Sequence, residues 1–190
     1  MVKLFVEAVP AIFACCDALV TASDVASAAR FQNERRRAEH LAWRRVVRRE
    51  LGRGVAIDYN EVGAPVVDTP NIYISVSHGG GVVAVAIASC RVGVDVECTD
   101  RDFSRAMSRY LSATEAALSD DAHWPAKVWC SKEAMYKLYG ERGVELLDLR
   151  IDSYDAEHDR LEGGLVNGAR VVVEISRPSD NLVVATAVFK

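Results

Sequence analysis

Long hydrophobic runs and paired cysteines are both missing from this 190-residue sequence. Its apolar stretches fall far short of the ~20 residues that cross a bilayer, so we predict no membrane partner. The N-terminus alternates like a strand and contains Glu7 and Pro10, so we expect no secretory signal. No C-x-x-C pair occurs, which disfavours a zinc site or a disulfide framework and predicts a reduced, cytoplasmic protein. We expect mostly buried thiols at the five cysteines, Cys15, Cys16, Cys90, Cys98 and Cys130.

The common nucleotide-binding and hydrolase motifs are also missing. The sequence contains no G-x-x-x-x-G-K-[ST], no G-x-G-x-x-G and no G-x-S-x-G. Phosphate-loop enzymes, Rossmann dinucleotide enzymes and serine hydrolases with a nucleophile elbow therefore gain no support. The composition is that of an ordinary globular protein, with 50% hydrophobic and 26% charged residues. A chain of this length and apolar fraction can form one sizeable domain or two small halves that share a core.

Positive charge is concentrated in one predicted helix. Seven arginines and three glutamates lie between Glu34 and Glu50, an excess of four positive charges in a chain of net charge −4. A solvated charged face is the usual explanation for such a run. The confinement of the charge to one helix instead favours a small polyphosphate ligand. We expect no nucleic-acid partner, because proteins that bind nucleic acids usually have a broader basic surface.

The periodicity of the first half predicts strands around one long helix. Strand-like alternation at the N-terminus is followed by a helical pattern from about Ser27 to Leu51, with Gly52 as its end. Gly63 and Pro65 then mark a turn between two strands. Two apolar strands around a glycine-rich bend and one further strand complete this half.

The second half predicts two helices and a meander of three strands. Ser112 and Glu115 match a capping box at the start of a short helix. Pro125 suits the first turn of the next helix, and Gly140 suits its end. Because no low-complexity linker separates residues 1–98 from residues 99–190, we predict that the two halves pack as one α+β unit.

Two carboxylates are predicted on one face of the strand "VGVDVE". Side chains alternate along a strand, so Asp95 and Glu97 point the same way. They repel each other unless a cation lies between them. Mg²⁺ prefers such oxygen ligands. The alternative is an acidic face exposed to solvent, because D-x-E is a short pattern.

The helix "WCSKEAMYKLYG" is predicted to carry a carboxylate and an ammonium on one stripe. Trp129, Glu133 and Lys137 are four residues apart and therefore share a face. Glu133 could complete a site with Asp95, or it could simply pair with Lys137, which would stabilise the helix by ~0.2–0.5 kcal/mol. Lys132 lies on a neighbouring face and, judged alone, is expected to be solvated.

A histidine stands beside a glycine-rich bend. His78 follows Ser77 and precedes three glycines, whose backbone amides can approach an anion closely. A surface histidine in a loop is the alternative. Glu115 needs no catalytic role, because the capping box with Ser112 explains it.

Three stretches resemble the 4′-phosphopantetheinyl transferases of the Sfp type, of which this chain would be a short bacterial member. They are "GAPVVDTPNIYISVSHGG", "VGVDVE" and "YLSATEAALSDDAHWPAKVWCSKEAMYKLYG". The third resembles the W-x-x-K-E-x-x-x-K signature of the family and is the most specific. The resemblance implies a monomer of two similar, pseudo-symmetric α+β halves with coenzyme A in the cleft between them. It also implies a holo-[carrier-protein] synthase, which transfers phosphopantetheine from CoA to a serine of an acyl or peptidyl carrier protein and releases adenosine 3′,5′-bisphosphate. Fatty acid or polyketide biosynthesis is the expected setting.

The resemblance also implies roles for individual residues. Asp95, Glu97 and Glu133 would hold Mg²⁺, and Glu133 would take the proton of the carrier serine. Lys137 would stabilise the leaving phosphate. The residues expected to bind CoA are Arg36, Arg44, Ser77, His78, Lys132 and Lys137.

The chain departs from the family pattern at three positions. Ala64 stands where many members have lysine, Gly79 where many have serine, and Ile74 where many have asparagine. Two other functions remain open. One is a different Mg²⁺-dependent nucleotide phosphotransferase or pyrophosphatase. The other is a nucleic-acid-binding module that uses the arginine-rich helix, which would bind less tightly as salt rises.

Overall fold

The computed structural model describes residues 1–10 and 17–190 of the chain. Cys15 and Cys16 lie outside the described residues. Of the other three cysteines, all free thiols, Cys130 is buried and Cys98 partly buried, whereas Cys90 is exposed, so the expectation of a buried thiol is wrong at Cys90. No described helix is long and apolar enough to span a membrane.

The N-terminal half packs one long helix on a three-stranded antiparallel sheet. Its sheet has the order β1-β5-β4, and the short strands β2 and β3 form a separate hairpin. Val46 and Val47 of the helix are buried against Val83 and Val85 of the sheet. The elements are β1 (Val2–Ala8), α1 (Ala22–Ala28), α2 (Glu34–Leu51), β2 (Ile57–Tyr59), β3 (Pro65–Val67), β4 (Tyr73–Gly79) and β5 (Val82–Ala88).

The C-terminal half packs a second long helix on a five-stranded antiparallel sheet of order β6-β10-β9-β8-β7. Met135 and Leu138 of this helix are fully buried in the largest core cluster. The elements are β6 (Val92–Cys98), α3 (Ala113–Ala116), α4 (Trp124–Tyr139), β7 (Arg150–Asp155), β8 (Arg160–Gly164), β9 (Arg170–Ser179) and β10 (Leu182–Phe189).

Strand β6 joins the two halves. It pairs with β10 and so belongs to the five-stranded sheet, whereas β5 belongs to the three-stranded sheet. The chain therefore passes from one sheet to the other between β5 and β6, before residue 98. On its other side, the Val94 amide donates to Ser75 Oγ of β4 at 3.0 Å. A Cβ on Gly93 would overlap the carbonyl oxygen of Ala134, so α4 lies directly on this strand. This close approach places Glu133 of α4 near Asp95 of β6.

The α+β prediction is confirmed, and most of the predicted elements are present. The long helix begins at Glu34, with Asn33 as its N-cap, and not near Ser27. The preceding residues form α1, which begins with its own capping box between Thr21 and Asp24. The predicted three-strand meander is wrong, because β8 makes it four strands. The predicted similarity of the two halves stays a prediction.

Candidate active site

A cleft of about 600 Å³ lies between the two halves. Side chains of α2, β4 and the β2–β3 hairpin line one wall, and the end of α4 with the loop after it lines the other. Trp43 and Tyr59 give the first wall an aromatic surface, and Arg36, His78 and Lys137 bring basic groups to the cleft. A cleft of this size, with aromatic and cationic walls, is suited to an anionic ligand that carries a ring system.

Asp95 is held rigidly at the point where the halves meet. Its Oδ1 accepts a hydrogen bond from Ser77 Oγ at 2.7 Å and an ion-paired hydrogen bond from Lys137 Nζ at 2.8 Å. Lys137 also donates to the Val94 carbonyl at 2.9 Å. The other carboxylate oxygen of Asp95, Oδ2, is buried without any hydrogen-bond partner among the described residues. A buried polar atom of this kind costs about 1–3 kcal/mol, so it marks a position where a ligand would be favoured.

Glu97 and Glu133 supply two further carboxylates near Asp95. Glu97 is partly buried and accepts a hydrogen bond from Arg101 at 2.7 Å. Burial raises its pKa, although Arg101 opposes the shift. Burial also raises the pKa of Glu133, and the negative charge of Asp95 adds to this effect. Both carboxylates are therefore shifted towards accepting a proton.

Glu133 has no ion-pair partner in the part of the chain that the structure describes. Lys137, the residue with which it could have paired, is bonded to Asp95 instead. The alternative that Glu133 only stabilises its helix through Lys137 is therefore wrong. Glu133 instead lines a second depression, about 460 Å³ in volume, with Trp129 and Tyr136. Tyr136 lines the cleft as well, so the two depressions meet at this side chain.

The three carboxylates have the donor chemistry of a magnesium site but are not gathered around one point. Within residues 1–10 and 17–190, no three histidine, cysteine, aspartate or glutamate side chains lie close enough together to hold a metal ion. Arg101 and Lys137 hold two of the carboxylates, and the unpartnered oxygen of Asp95 remains. Carboxylate oxygens are the ligands that Mg²⁺ prefers, so the residues fit a hard divalent cation.

His78 lies at the rim of the cleft between two charged side chains of α2. Arg36 Nη1 contacts His78 Nδ1 at 2.9 Å, and Glu39 Oε2 lies 3.3 Å from the same nitrogen. Burial lowers the pKa of His78, Glu39 raises it, and Arg36 and Lys137 lower it again, with a net downward shift. The imidazole is therefore favoured in its neutral form, in which it accepts a hydrogen bond from Arg36.

Arg44 does not line the cleft. It is 4% exposed, and its Nη1 donates to Asp24 Oδ1 at 3.0 Å. Arg48 bonds to both oxygens of the same aspartate. Burial raises the pKa of Asp24, but the hydrogen bonds from Arg48, Thr21 and Arg44 outweigh it and hold the pKa well below its usual range. The structure places Arg44 in this buried cluster, behind the cleft wall, with its guanidinium over the rings of Trp43 and Tyr59.

Lys132 does not line the cleft either, and the expectation that it is solvated is wrong. It is fully buried, and its Nζ lies 2.8 Å from Glu115 Oε1. Burial raises the pKa of Glu115, but hydrogen bonds from Lys132 and from the Ser112 and Ile151 amides outweigh it. The predicted capping box with Ser112 is confirmed. Glu115 therefore links α3, α4 and β7 inside the core.

The structure brings together Arg36, His78 and Lys137 at the cleft, and Asp95 with Ser77 beside it. The Ser77 hydroxyl is used by Asp95, so it acts on that carboxylate and not directly on the cleft. Sequence reasoning missed Glu39, Arg101 and Arg142. Glu39 and Arg101 each pair with a predicted residue. Arg36 and Glu39 are three positions apart on α2, a helical spacing that offered a signal, whereas Arg101 follows strand β6, where a four-residue spacing offers none. Arg142 lies in a loop, where periodicity gives no signal.

The arrangement defines an α+β protein with a basic cleft between its halves and three carboxylates, on β6 and α4, outside the cleft lining. Residues 91–181 match the family model of the 4′-phosphopantetheinyl transferase superfamily. The match covers just under half of the chain and includes Asp95, Glu97, Glu133 and Lys137. No curated protein gave a significant match to the chain. The matched region therefore carries the three carboxylates, while α2 and β4 lie outside it.

Proposed function

We propose that the chain transfers 4′-phosphopantetheine from CoA to a serine of an acyl or peptidyl carrier protein and releases adenosine 3′,5′-bisphosphate. The superfamily match supports phosphopantetheine transfer in general. The observation that carries the proposal is the environment of Glu133. It has a raised pKa and no ion-pair partner among the described residues, and its charge interacts with Asp95 and Lys137. These are the properties of a group available to accept a proton.

In this proposal CoA occupies the 600 Å³ cleft. Arg36 and Lys137 provide charge for its phosphates, and His78 provides a nearby hydrogen-bonding group. Trp43 and Tyr59 provide apolar ring surfaces. The departures at Ala64 and Ile74 leave these groups in place, because both residues contribute only apolar surface to the cleft.

The carrier protein would approach from the second depression. Glu133 lines this depression, whereas Lys137 lines the cleft, so the acceptor hydroxyl and the CoA phosphate would reach α4 from different sides. Trp129 and Leu146 give the depression an apolar surface, and its charged lining groups are Arg101, Arg109, Glu133 and Glu145. Such a mixed apolar and charged surface fits a protein partner.

The transfer needs one new bond, one broken bond and one proton acceptor. The serine oxygen attacks the phosphorus that bears pantetheine, and the bond from this phosphorus to the departing adenosine bisphosphate breaks. Glu133 accepts the serine proton, because it is a carboxylate at this site with no ion-pair partner among the described residues. Lys137 stabilises the negative charge on the departing phosphate. Mg²⁺, held by Asp95, Glu97 and Glu133, would neutralise charge on the pyrophosphate.

Mass spectrometry of an apo-carrier protein incubated with CoA, Mg²⁺ and the chain tests the proposal. We expect the carrier mass to rise by one phosphopantetheine group, and to stay unchanged when Mg²⁺ is removed with a chelator. The alternative, a pyrophosphatase, would cleave CoA with no carrier present and leave the carrier unmodified. A panel of acyl and peptidyl carriers also identifies the preferred partner. We propose that the chain acts as a monomer in the cytoplasm.

A further inference from the structure

Three cationic side chains that line the cleft differ in how their charge is compensated. Arg36 lies 3.4 Å from Glu39, and Lys137 lies 2.8 Å from Asp95. Arg142, in the loop after α4, also lines the cleft but has no carboxylate within ion-pair distance among the described residues. Its charge is therefore available to an anion without the loss of an existing ion pair.

Arg142 is held in place by a backbone contact that crosses the cleft. Its Nη2 donates to the carbonyl oxygen of Glu61 at 3.1 Å. Glu61 lies in the turn between β2 and β3, so the contact joins the two halves. A guanidinium has five N–H donors, and this contact uses one of them. The remaining donors can form a paired contact with a phosphate.

The residues of the β2–β3 turn that line the cleft offer the ligand no positive charge. Val62, Gly63 and Ala64 line the cleft at this turn, and none of them has a polar side chain. Glu141, beside Arg142, also lines the cleft and brings one carboxylate to its C-terminal side. Arg142 is therefore the cation that faces this turn.

We propose that Arg142 binds a phosphate group of the ligand and so helps to select a polyphosphate-bearing substrate. This inference rests on the proposed function for the identity of the ligand as CoA. Arg142 interacts with the β2–β3 turn before the ligand binds, so little of its side-chain freedom remains to be lost on binding. Arg36 and Lys137 must share their charge with Glu39 and Asp95, whereas Arg142 need not.

Isothermal calorimetry with CoA and Mg²⁺ tests this role, with Arg142→Gln compared to Arg91→Gln. Arg91 is the matched control, because it is also exposed and donates to a backbone carbonyl, that of Tyr139 at 2.6 Å, yet does not line the cleft. We expect Arg142→Gln to weaken CoA binding by about tenfold, the value of one charge-assisted hydrogen bond. Arg91→Gln should change the affinity less than twofold. Circular dichroism should show both variants folded.

Inorganic pyrophosphate serves as a second probe in the same titrations. It separates the claim that CoA is the ligand from the claim that Arg142 binds a phosphate group. If the unaltered chain binds pyrophosphate but not CoA, the proposed function is wrong while Arg142 is still tested by its effect on pyrophosphate. Equal affinities in Arg142→Gln and the unaltered chain would overturn the inference. A similar loss in Arg91→Gln would also overturn it, because the effect would then belong to the loop as a whole. If the chain binds neither probe, both claims are wrong.

Discussion

The N-terminal half and the β6–α4 part of the C-terminal half use charge in opposite ways. In the N-terminal half, Arg44 and Arg48 of α2 are buried against Asp24, and the exposed Arg36 is paired with Glu39. On β6 and α4, Glu133 has no ion-pair partner among the described side chains, and Asp95 keeps one buried oxygen without a hydrogen bond. The helix with the most charge in the sequence thus uses it largely for folding, whereas Glu133 and one oxygen of Asp95 remain available for chemistry.

The comparison shows that charge density is a weaker guide to function than pairing. A buried charge must be paired, and the pair is then hard to separate. A carboxylate that is partly buried without a partner has a raised pKa and can act as a base. Removing the partners of charged groups in each half tests the contrast.

Asp24→Asn should destabilise the N-terminal half most strongly. It leaves the charges of Arg44 and Arg48 buried without a counter-ion, which should cost about 3–5 kcal/mol in the free energy of unfolding. Urea denaturation measures the change. Asp17→Asn is the control, since Asp17 pairs with the half-exposed Arg45 and should cost less than about 1 kcal/mol. Similar losses in the two variants would contradict the buried cluster.

Glu115→Gln should have a comparable or slightly smaller effect on the C-terminal half. The amide keeps the shape of the capping box but leaves the buried Lys132 without a negative partner. We expect a loss of about 3 kcal/mol, because Gln can still accept some of the hydrogen bonds. The double variant Glu115→Gln with Lys132→Met should recover part of that stability. No recovery would show that the ion pair is not the reason for the loss.

His40 should make the N-terminal half sensitive to acid. Burial, together with the charges of Arg44 and Arg30, lowers its pKa from 6.5 to about 4. The unfolded chain therefore binds a proton before the folded chain does, and stability present above pH 6.5 is lost as the pH falls towards 4. The loss should be about 2–3 kcal/mol.

Urea denaturation between pH 7 and pH 4 measures this dependence. His40→Gln should flatten the curve, while His158→Gln, at an exposed position, should leave it unchanged. An identical acid dependence in His40→Gln would assign the loss to other groups.

Glu133→Gln should have the smallest effect on stability, and in the opposite direction. The folded-state pKa of Glu133 is raised, so its contribution to stability is full at acidic pH and is lost as the pH rises through the folded pKa. Without divalent cations, the amide should therefore stabilise the chain slightly at neutral pH, and the gain should disappear below the ordinary glutamate pKa. A melting curve at each pH measures it. A destabilised variant at neutral pH would show that Glu133 has a structural partner.

The sequence predicted the α+β class, most elements and the groups at the cleft, because these follow from local patterns. Gly140 ends α4 in the left-handed conformation, as its position indicates. The alternation in β6 and the four-residue spacing in α4 placed Asp95 and Glu133 correctly on their elements. Long-range pairing was not predictable. Arg44 pairs with Asp24 in the core, and Lys132 pairs with Glu115. The sequence around each cation gives no sign of its distant partner.

The start of α2 was predicted wrongly for a related reason. The predicted helix began near Ser27, at the end of α1, and ran through the loop before Asn33 without a break. Asn33 is an N-cap whose side chain accepts from the amides of Arg35 and Arg36, and attention to capping residues would have placed it.

The rate of phosphopantetheine transfer by Glu133→Gln, measured by mass spectrometry of the carrier protein under single-turnover conditions, tests the central claim most directly. The variant removes the proton acceptor while leaving the shape of the side chain and the packing of α4 intact. We expect the rate to fall by about 10²–10⁴-fold with no loss of thermal stability. A folded variant that keeps more than about a tenth of the unaltered rate would contradict the assignment of Glu133 as the base.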